Sequence, residues 1–394
     1  MNNKKVLDRE AHVCPYCGSK KFVKRGTRKN KYQEVQLYLC RGDECGRTFT
    51  SRTVKGKQFP WLAVLDSISY YNFGYDFKDI PKFIEAKHGV SPKPETIAKW
   101  YEEYKSLCRF ERLRPYALKI LGAWQEHAKK HGHTISMIET TTLAHKQLYR
   151  FRYHRPKLAL MLEEYGNRNF APLMEYLDSV STQMPHEAFL KGGRISEVKS
   201  KFSKAEMIVK TKKNFATDLT KFVIQSVVEN KKRHEEVQRF FIANDSVTIA
   251  TEVPVYISQK DVSHMEKSLN FKILEDNNRI QFKGKKKKSK FPELLTGHID
   301  LVQVRNGQIH ILDYKPNASK EKPIEQLTWY AIAMSRLTGL RLFEFKCAWF
   351  DEEDYFEFYP LHVVKKSKRK RSKRVKYKDG SSTLVPTEDN LKIV

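Results

Sequence analysis

"TGHIDLVQVRNGQIHILDYKPN", residues 296–317, sets two aspartates, Asp300 and Asp313, on either side of a polar turn. Ile299, Leu301, Val302 and Val304 precede "RNGQ", and Ile309, Ile311 and Leu312 follow it. Apolar residues flanking an Asn-Gly pair predict a β-hairpin, with strands from Gly297 to Val304 and from Gln308 to Lys315. In such a ribbon the two aspartates can converge at one point. Two carboxylates held together repel unless a divalent cation sits between them, so Mg2+ or Mn2+ is the natural companion. Lys315 lies two residues beyond Asp313, on the same strand face. There its amine can orient or deprotonate a water, or neutralise a pentacovalent phosphate, while the Tyr314 carbonyl offers a neutral oxygen ligand. D-x-K also occurs where acids at a strand end merely keep an edge soluble.

Working outward, "SVTIATEVPVYIS" upstream reads as a strand carrying Glu252. Downstream, "PIEQLTWYAIAMSRLTG" reads as a helix closed by Gly339, with Gln326 and Tyr330 four apart on one face. "LRLFEFKCAWF" and "YFEFYPLHVV" add two strands. The order is helix, three strands, helix, two strands, an α+β core with a mixed sheet.

A chain of 394 residues can hold two or three domains, and its formal net charge of +28 favours a polyanionic partner. Nucleic acid ranks before membrane, because no run of eighteen apolar residues is present. "MNNKKVLDREAH" lacks the apolar core of a secretory signal, so the expected location is intracellular, cytoplasmic or nucleoid-associated.

Four of the six cysteines, Cys14, Cys17, Cys40 and Cys45, form C-x2-C and C-x4-C pairs around "KFVKRG" and "EVQLYLC", two short strands of a hairpin. Four thiolates at that spacing suit tetrahedral Zn2+, which would stabilise a segment too small for its own core. Lys20, Lys21, Lys24, Arg25, Arg28, Lys29 and Lys31 crowd this ribbon and fit phosphate contact. From Phe59 to Tyr104 the apolar spacing turns helical; "KHGV" stops one helix at Gly89 and "SPKPETIAKWYEEY" opens the next. Helix, Gly-containing turn, helix is the layout of a helix-turn-helix, with Lys93, Glu95, Thr96 and Lys99 on the groove side; an ordinary helical hairpin has the same layout.

The knuckle, basic hairpin, second cysteine pair and "GVSPKPETIAKW" helix resemble the N-terminal region of insertion-sequence transposases, where a zinc ribbon and helix-turn-helix recognise transposon ends. The rest of the chain shows no acidic triad on an RNase H pattern. Instead, "GHID", "ILDYK" and "EQLTWYAIA" resemble the RecB-like branch of PD-(D/E)XK nucleases. That branch has a glycine before the first aspartate (Gly297, then Asp300), a D-Y-K strand (Asp313, Tyr314, Lys315) and a Q-x-x-x-Y helix (Gln326, Tyr330). It also has a metal-binding histidine on a preceding helix, then a strand glutamate. "KRHEEVQ" offers His234, with Glu235 or Glu236 as alternatives, and "ATEVPV" offers Glu252. The resemblance implies catalytic roles for Glu252, Asp300, Asp313, Lys315, Gln326 and Tyr330. It implies Mg2+ or Mn2+ on His234, Asp300, Asp313 and the Tyr314 carbonyl. Relatives with an iron-sulfur cluster use four cysteines; only Cys108 and Cys347 are spare here, so no such cluster is expected.

The middle reads as mostly helical. Within it "RFRYHRPKLAL" interleaves Arg150, Arg152, His154, Arg155 and Lys157 with Phe151 and Tyr153. Arg152 and Arg155 could track a nucleic-acid backbone; an amphipathic surface segment reads equally well. "LKGGRISEVKSKFSKAEMIVKTKK" reads as an insertion, "FKGKKKKSK" as a basic hairpin tip.

The expected organisation is multidomain: zinc ribbon (10–52), all-α helix-turn-helix (57–108), helical middle (109–213), α+β restriction-endonuclease-like core with mixed sheet (214–364), and a basic tail without fixed structure (365–394). It implies a metal-dependent DNA nuclease, an endonuclease of mobile-element or defence origin, with DNA and proteins of mobile elements or repair as partners. The rival is a non-catalytic DNA-binding regulator on a degenerate nuclease fold.

Overall fold

The computed structural model describes residues 13–364 except 33, 51–57, 200–208, 212–213, 226, 228–229, 271–272, 275–278 and 286, together with 372–376 and 382–386. Most of the expected tail therefore lies outside the described residues. Within it, Ser372–Lys376 pairs antiparallel with Ser382–Pro386, a ladder in a stretch read as having no fixed structure.

A mixed nine-stranded sheet forms the centre, flanked by helices, and a small antiparallel sheet lies at the N-terminus. Five of the nine strands bear on the site: Thr248–Ser258, Leu294–Arg305, Gln308–Tyr314, Phe345–Phe350 and Tyr355–Phe358, side by side in that order. The hairpin turns at Asn306 and Gly307, both left-handed with φ of 52° and 67°. That geometry matches the twist of the flanking strands in a two-residue turn. Gln308–Tyr314 and Phe345–Phe350 run parallel, which needs a crossover. The helix Ile324–Thr338 supplies it, ending at left-handed Gly339.

The two faces bury different cores. Val302, Val304, Ile309 and Ile311 pack with Leu327 and Ala331 of the crossover helix on one side. Leu301, Leu312 and Tyr314 pack on the other with Phe241, and with Trp61, Ile68, Ile84 and Ile97 of the N-terminal helices. The helices Ile80–His88 and Pro94–Tyr104, joined through left-handed Gly89, thus share the core of the central sheet.

The middle is largely helical, as expected, but it also contributes strands. Glu139–His145 and Gln147–Tyr153 form a hairpin that extends the sheet, with Arg152 opposite Thr251 and Tyr153 opposite Ala250. Three consecutive threonines, 140–142, and aromatics at every second position (Tyr149, Phe151, Tyr153) carry the strand preference. The basic run that follows is largely interior, which corrects its reading as a phosphate track. Arg152 is buried with its guanidinium 3.2 Å from Glu235, and Arg155 is bound to Asp178 at 3.0 Å. Both are engaged by carboxylates, Arg152 in the interior and Arg155 half-buried. Among the described residues no helix is long and apolar enough to cross a membrane.

Lys157 is fully buried and donates to the carbonyls of Ile242, Asp245 and Thr248 at 2.7, 2.7 and 2.9 Å. One ammonium thus satisfies acceptors at the end of Asn230–Asn244 and the start of Thr248–Ser258. Lys157→Met keeps the volume and strands three buried acceptors, each costing about 1–3 kcal/mol. We expect a loss of at least about 3 kcal/mol in urea unfolding followed by tryptophan fluorescence. An unchanged midpoint would show that water reaches those carbonyls.

Candidate functional site

The ladder between the two aspartate strands pairs Arg305 with Gln308 and ends with Leu301 opposite Leu312. One step further the strands part, and a side chain replaces the backbone acceptor: the Tyr314 amide donates to Asp300 Oδ2 at 3.0 Å. Asp300 is thereby fixed beside Asp313, which is buried. Lys315 Nζ stands 2.9 Å from Asp313 Oδ2. It is off the hydrogen-bonding direction, so that buried oxygen accepts no hydrogen bond. His234, from the helix Asn230–Asn244, brings Nδ1 to 3.4 Å from Asp300 Oδ2.

Glu252 enters from the neighbouring strand on a left-handed backbone, φ 51°. Its partner positions Val253–Ile299 and Thr251–Leu301 pair normally around it. On both strands the alternation between faces slips here, with Ile299 and then Val302 on one core, and Val253 and then Ala250. The slip turns Glu252 and Asp300 into one cavity of about 330 Å3, also lined by Asp313, Lys315, His234, Gln326 and Tyr330. Such a backbone costs a non-glycine residue roughly 1–3 kcal/mol and tends to occur at functional sites. Gln238 Nε2 donates to Glu252 at 2.6 Å. Gln326 Nε2 donates to the Tyr330 hydroxyl at 3.0 Å. Gly297 is required by the Tyr330 ring: a Cβ there would lie 2.4 Å from Tyr330 Cε1.

Charges in this space are strongly coupled. Burial, and then the charge of Asp300, push Asp313 up to about 8 despite Lys315. The same two causes push Glu252 up to about 7. Burial also works against ionised Asp300, but the His234 hydrogen bond and the charges of His234 and Lys315 win, and its pKa is lowered. Burial opposes charge on His234 and Lys315 too; the aspartates overcome it and raise both.

The structure thus brings together Glu252, Asp300, Asp313, Lys315, His234, Gln326 and Tyr330 around one cavity. Of the three adjacent ligand candidates, His234 lines it, whereas Glu235 is held by Arg150 and Arg152, and Glu236 lies 3.6 Å from Arg239. Lys93 and Lys99 are exposed and Thr96 is half-buried, and none of them lines the cavity. Arg194, Lys146 and His298 also line it. His298 was the legible one of these, since it stands two residues before Asp300.

A second cluster lies in the ribbon. Cys14 and Cys45 sulfurs are 3.8 Å apart, those of Cys17 and Cys40 3.6 Å, and all four lie within 4.8 Å of one another. Zn–S bonds of about 2.3 Å at tetrahedral angles set sulfurs at about that spacing. The four cysteines are therefore compatible with a structural zinc site. Phe22–Lys29 pairs with Glu34–Cys40 to carry it, over a core of Tyr38 and Phe49. Among the described residues no other group of His, Cys, Asp or Glu draws three ligand atoms that close; the acidic cavity is wider. Cys108 and Cys347 are buried elsewhere.

No protein-family model, curated protein or solved structure matches this chain.

Two measurements follow. Purified protein should carry about one equivalent of tightly held zinc, lost in a Cys14→Ser/Cys17→Ser variant; unchanged metal content would remove the ribbon site. In the cavity, Asp313 near 8 and Glu252 near 7 hold protons that any divalent cation must displace. Because both folded pKa values exceed the unfolded ones, this pair stabilises the cation-free fold at low pH, and that contribution is lost as pH rises through 7 to 8. Mn2+ binding should strengthen over the same window, about tenfold or more from pH 6.5 to 8.5, with proton release. Calorimetry in two buffers of different ionisation enthalpy reads both; pH-independent binding would contradict it.

Proposed function

We propose that this chain is a metal-dependent DNA nuclease, a phosphodiester hydrolase of the PD-(D/E)XK type in its RecB-like branch, acting as an endonuclease. The observation that carries the reading is the meeting of Asp300, Asp313 and Lys315 at the open end of one hairpin, with Glu252 and His234 facing them across one cavity. An edge that merely used acids for solubility would leave them in water; Asp313 is buried and its carboxyl is pushed up to about 8.

Glu252, Asp300, Asp313, His234 and the Tyr314 carbonyl would hold Mg2+ or Mn2+. The donor set fits: it is hard oxygen plus one imidazole, with a buried Asp313 oxygen that accepts no hydrogen bond. Such an ion, when bound, polarises a phosphoryl oxygen and acidifies a water. Lys315, raised by Asp313 and Asp300 against its burial, stays an ammonium at neutral pH. Of the roles open to it, neutralising phosphate charge and orienting water therefore fit; taking a proton does not. Gln326 fixes the Tyr330 hydroxyl against the cavity wall.

Recognition falls to the front of the chain. The exposed Lys20, Lys24, Arg28 and Lys29 of the ribbon would contact phosphates. Lys93, Thr96 and Lys99 at the start of Pro94–Tyr104 would face a groove. The net charge of +28 supplies long-range attraction. A mobile-element or defence setting suits that front.

The test is cleavage of supercoiled and linear DNA with Mg2+ or Mn2+. Wild type should nick the closed circle, and Asp313→Ala and Lys315→Ala should each lose at least about 100-fold. Equal activity in all three would discard the assignment.

A further inference from the structure

The segment "GGR", 192–194, belongs to a stretch that looked like an insertion, yet its Arg194 lines the cavity. One edge of Leu294–Arg305 is shared by two partners. Gln308–Tyr314 pairs with residues 301–305, and Gly193–Arg194 pairs in parallel with Leu295 and Thr296. Neither partner pairs with residues 297–300 on that edge, so among the described residues the sheet has a gap there. Asp313 closes it at one end and Arg194 at the other.

The glycines make that approach feasible. A Cβ on Gly192 would lie 2.5 Å from the Ala188 carbonyl oxygen and 2.8 Å from that of Leu294. One on Gly193 would lie 2.9 Å from Phe282 Cζ. Lys146, itself left-handed at a hairpin tip, fastens the segment by donating to the Gly192 carbonyl at 2.8 Å. Arg194 is presented on this fastened backbone, half-buried at the cavity. Among the described residues no acidic side chain forms an ion pair or hydrogen bond with it.

We propose that Arg194 is a phosphate-holding residue of this cavity, its planar guanidinium gripping two non-bridging oxygens of a nucleic-acid phosphate that lies in the sheet gap before Asp300 and Asp313. The inference rests on the nuclease reading and deepens it. Lys315 approaches the phosphate from the Asp313 side and Arg194 from the opposite side. A guanidinium matches two phosphate oxygens in one plane, which an ammonium cannot.

The experiment pairs two readouts on the full-length protein: anisotropy of a fluorescein-labelled DNA duplex in Ca2+, and cleavage of the same duplex in Mn2+. Arg194→Gln should weaken binding and slow cleavage about tenfold or more, and lower the salt slope of binding by about one. Lys260→Gln, which removes an exposed charge outside the cavity lining, should leave both as in wild type. Arg194→Lys should fall between, keeping charge without the two-pronged grip. Wild-type binding and cleavage in Arg194→Gln, with Asp313→Ala inactive, overturns the role of Arg194 and leaves the nuclease reading standing. A wild type that neither binds nor cuts DNA overturns both. Should Arg194→Gln melt earlier than wild type, Arg194→Lys decides: undiminished binding and cleavage there overturn the proposal.

Discussion

A carboxylate standing in for a missing strand holds the site together. Where the two aspartate strands part, the Tyr314 amide would face a low-dielectric interior unpaired, and Asp300 accepts its hydrogen at 3.0 Å. A buried, unsatisfied amide costs about 1–3 kcal/mol, so the bond has structural weight. The same bond fixes Asp300 where, against burial, the His234 hydrogen bond and the charges of His234 and Lys315 lower its pKa, and ionised Asp300 acts on the rest. Burial and then its charge raise Glu252 and Asp313; it lies 3.4 Å from His234 and helps keep Lys315 charged. A backbone requirement at the end of one ribbon therefore places the carboxylate around which the charges of the cavity are arranged.

The N-terminal helices are tied to this arrangement through a second buried carboxylate. Asp66, on Trp61–Asn72, meets Lys87 at 2.7 Å and His88 at 2.6 Å, and also bonds Arg239 of the His234 helix. Burial and the charge of Lys87 hold His88 near 4, so its ring is neutral at ordinary pH. Asn72 and Asn244 join the same two helices by a 2.6 Å hydrogen bond. Buried ion pairs are costly to break because each leaves a charge uncompensated. The helix-turn-helix layout and the helix bearing His234 are thus packed as one body. Lys93 and Lys99 are therefore carried in a fixed relation to the cavity.

The sequence was legible where local rules suffice. Asn306-Gly307 dictated the hairpin, Gly89 and Gly339 the helix ends, and cysteine spacing the ribbon. It misled where burial overrides composition. Arg152 and Lys157 look like surface cations, but inside Glu235 pairs with the first and three carbonyls accept hydrogen bonds from the second, contacts that exist only after distant segments meet. The edge hairpin at 139–153 was hidden because charged residues alternate with its aromatics, a pattern that also suits an amphipathic surface. Glu252 was legible as a strand residue but not in its left-handed backbone, since no local signal asks a glutamate between Thr251 and Val253 for positive φ. The role of Gly192 and Gly193 depends on contacts with Ala188, Phe282 and Leu294, some of them about a hundred residues away.

A strongly basic chain with an acidic cavity resolves into a division of labour by range. At 0.15 M salt, exposed charges act over about 8 Å, so on the proposed reading surface lysines would gather a polyanion without fixing any one phosphate. Inside the cavity screening is weaker, and there the carboxylates oppose the phosphate that the surface attracts. Without a divalent cation, Asp313 and Glu252 relieve that repulsion by holding protons at neutral pH. A cation that displaces those protons reverses the local sign, and Lys315 and Arg194 then complete a positive cradle around a negative ligand. The strain at Glu252 fits this scheme: a left-handed glutamate is tolerated because it brings a third carboxylate to the place where a cation would be held.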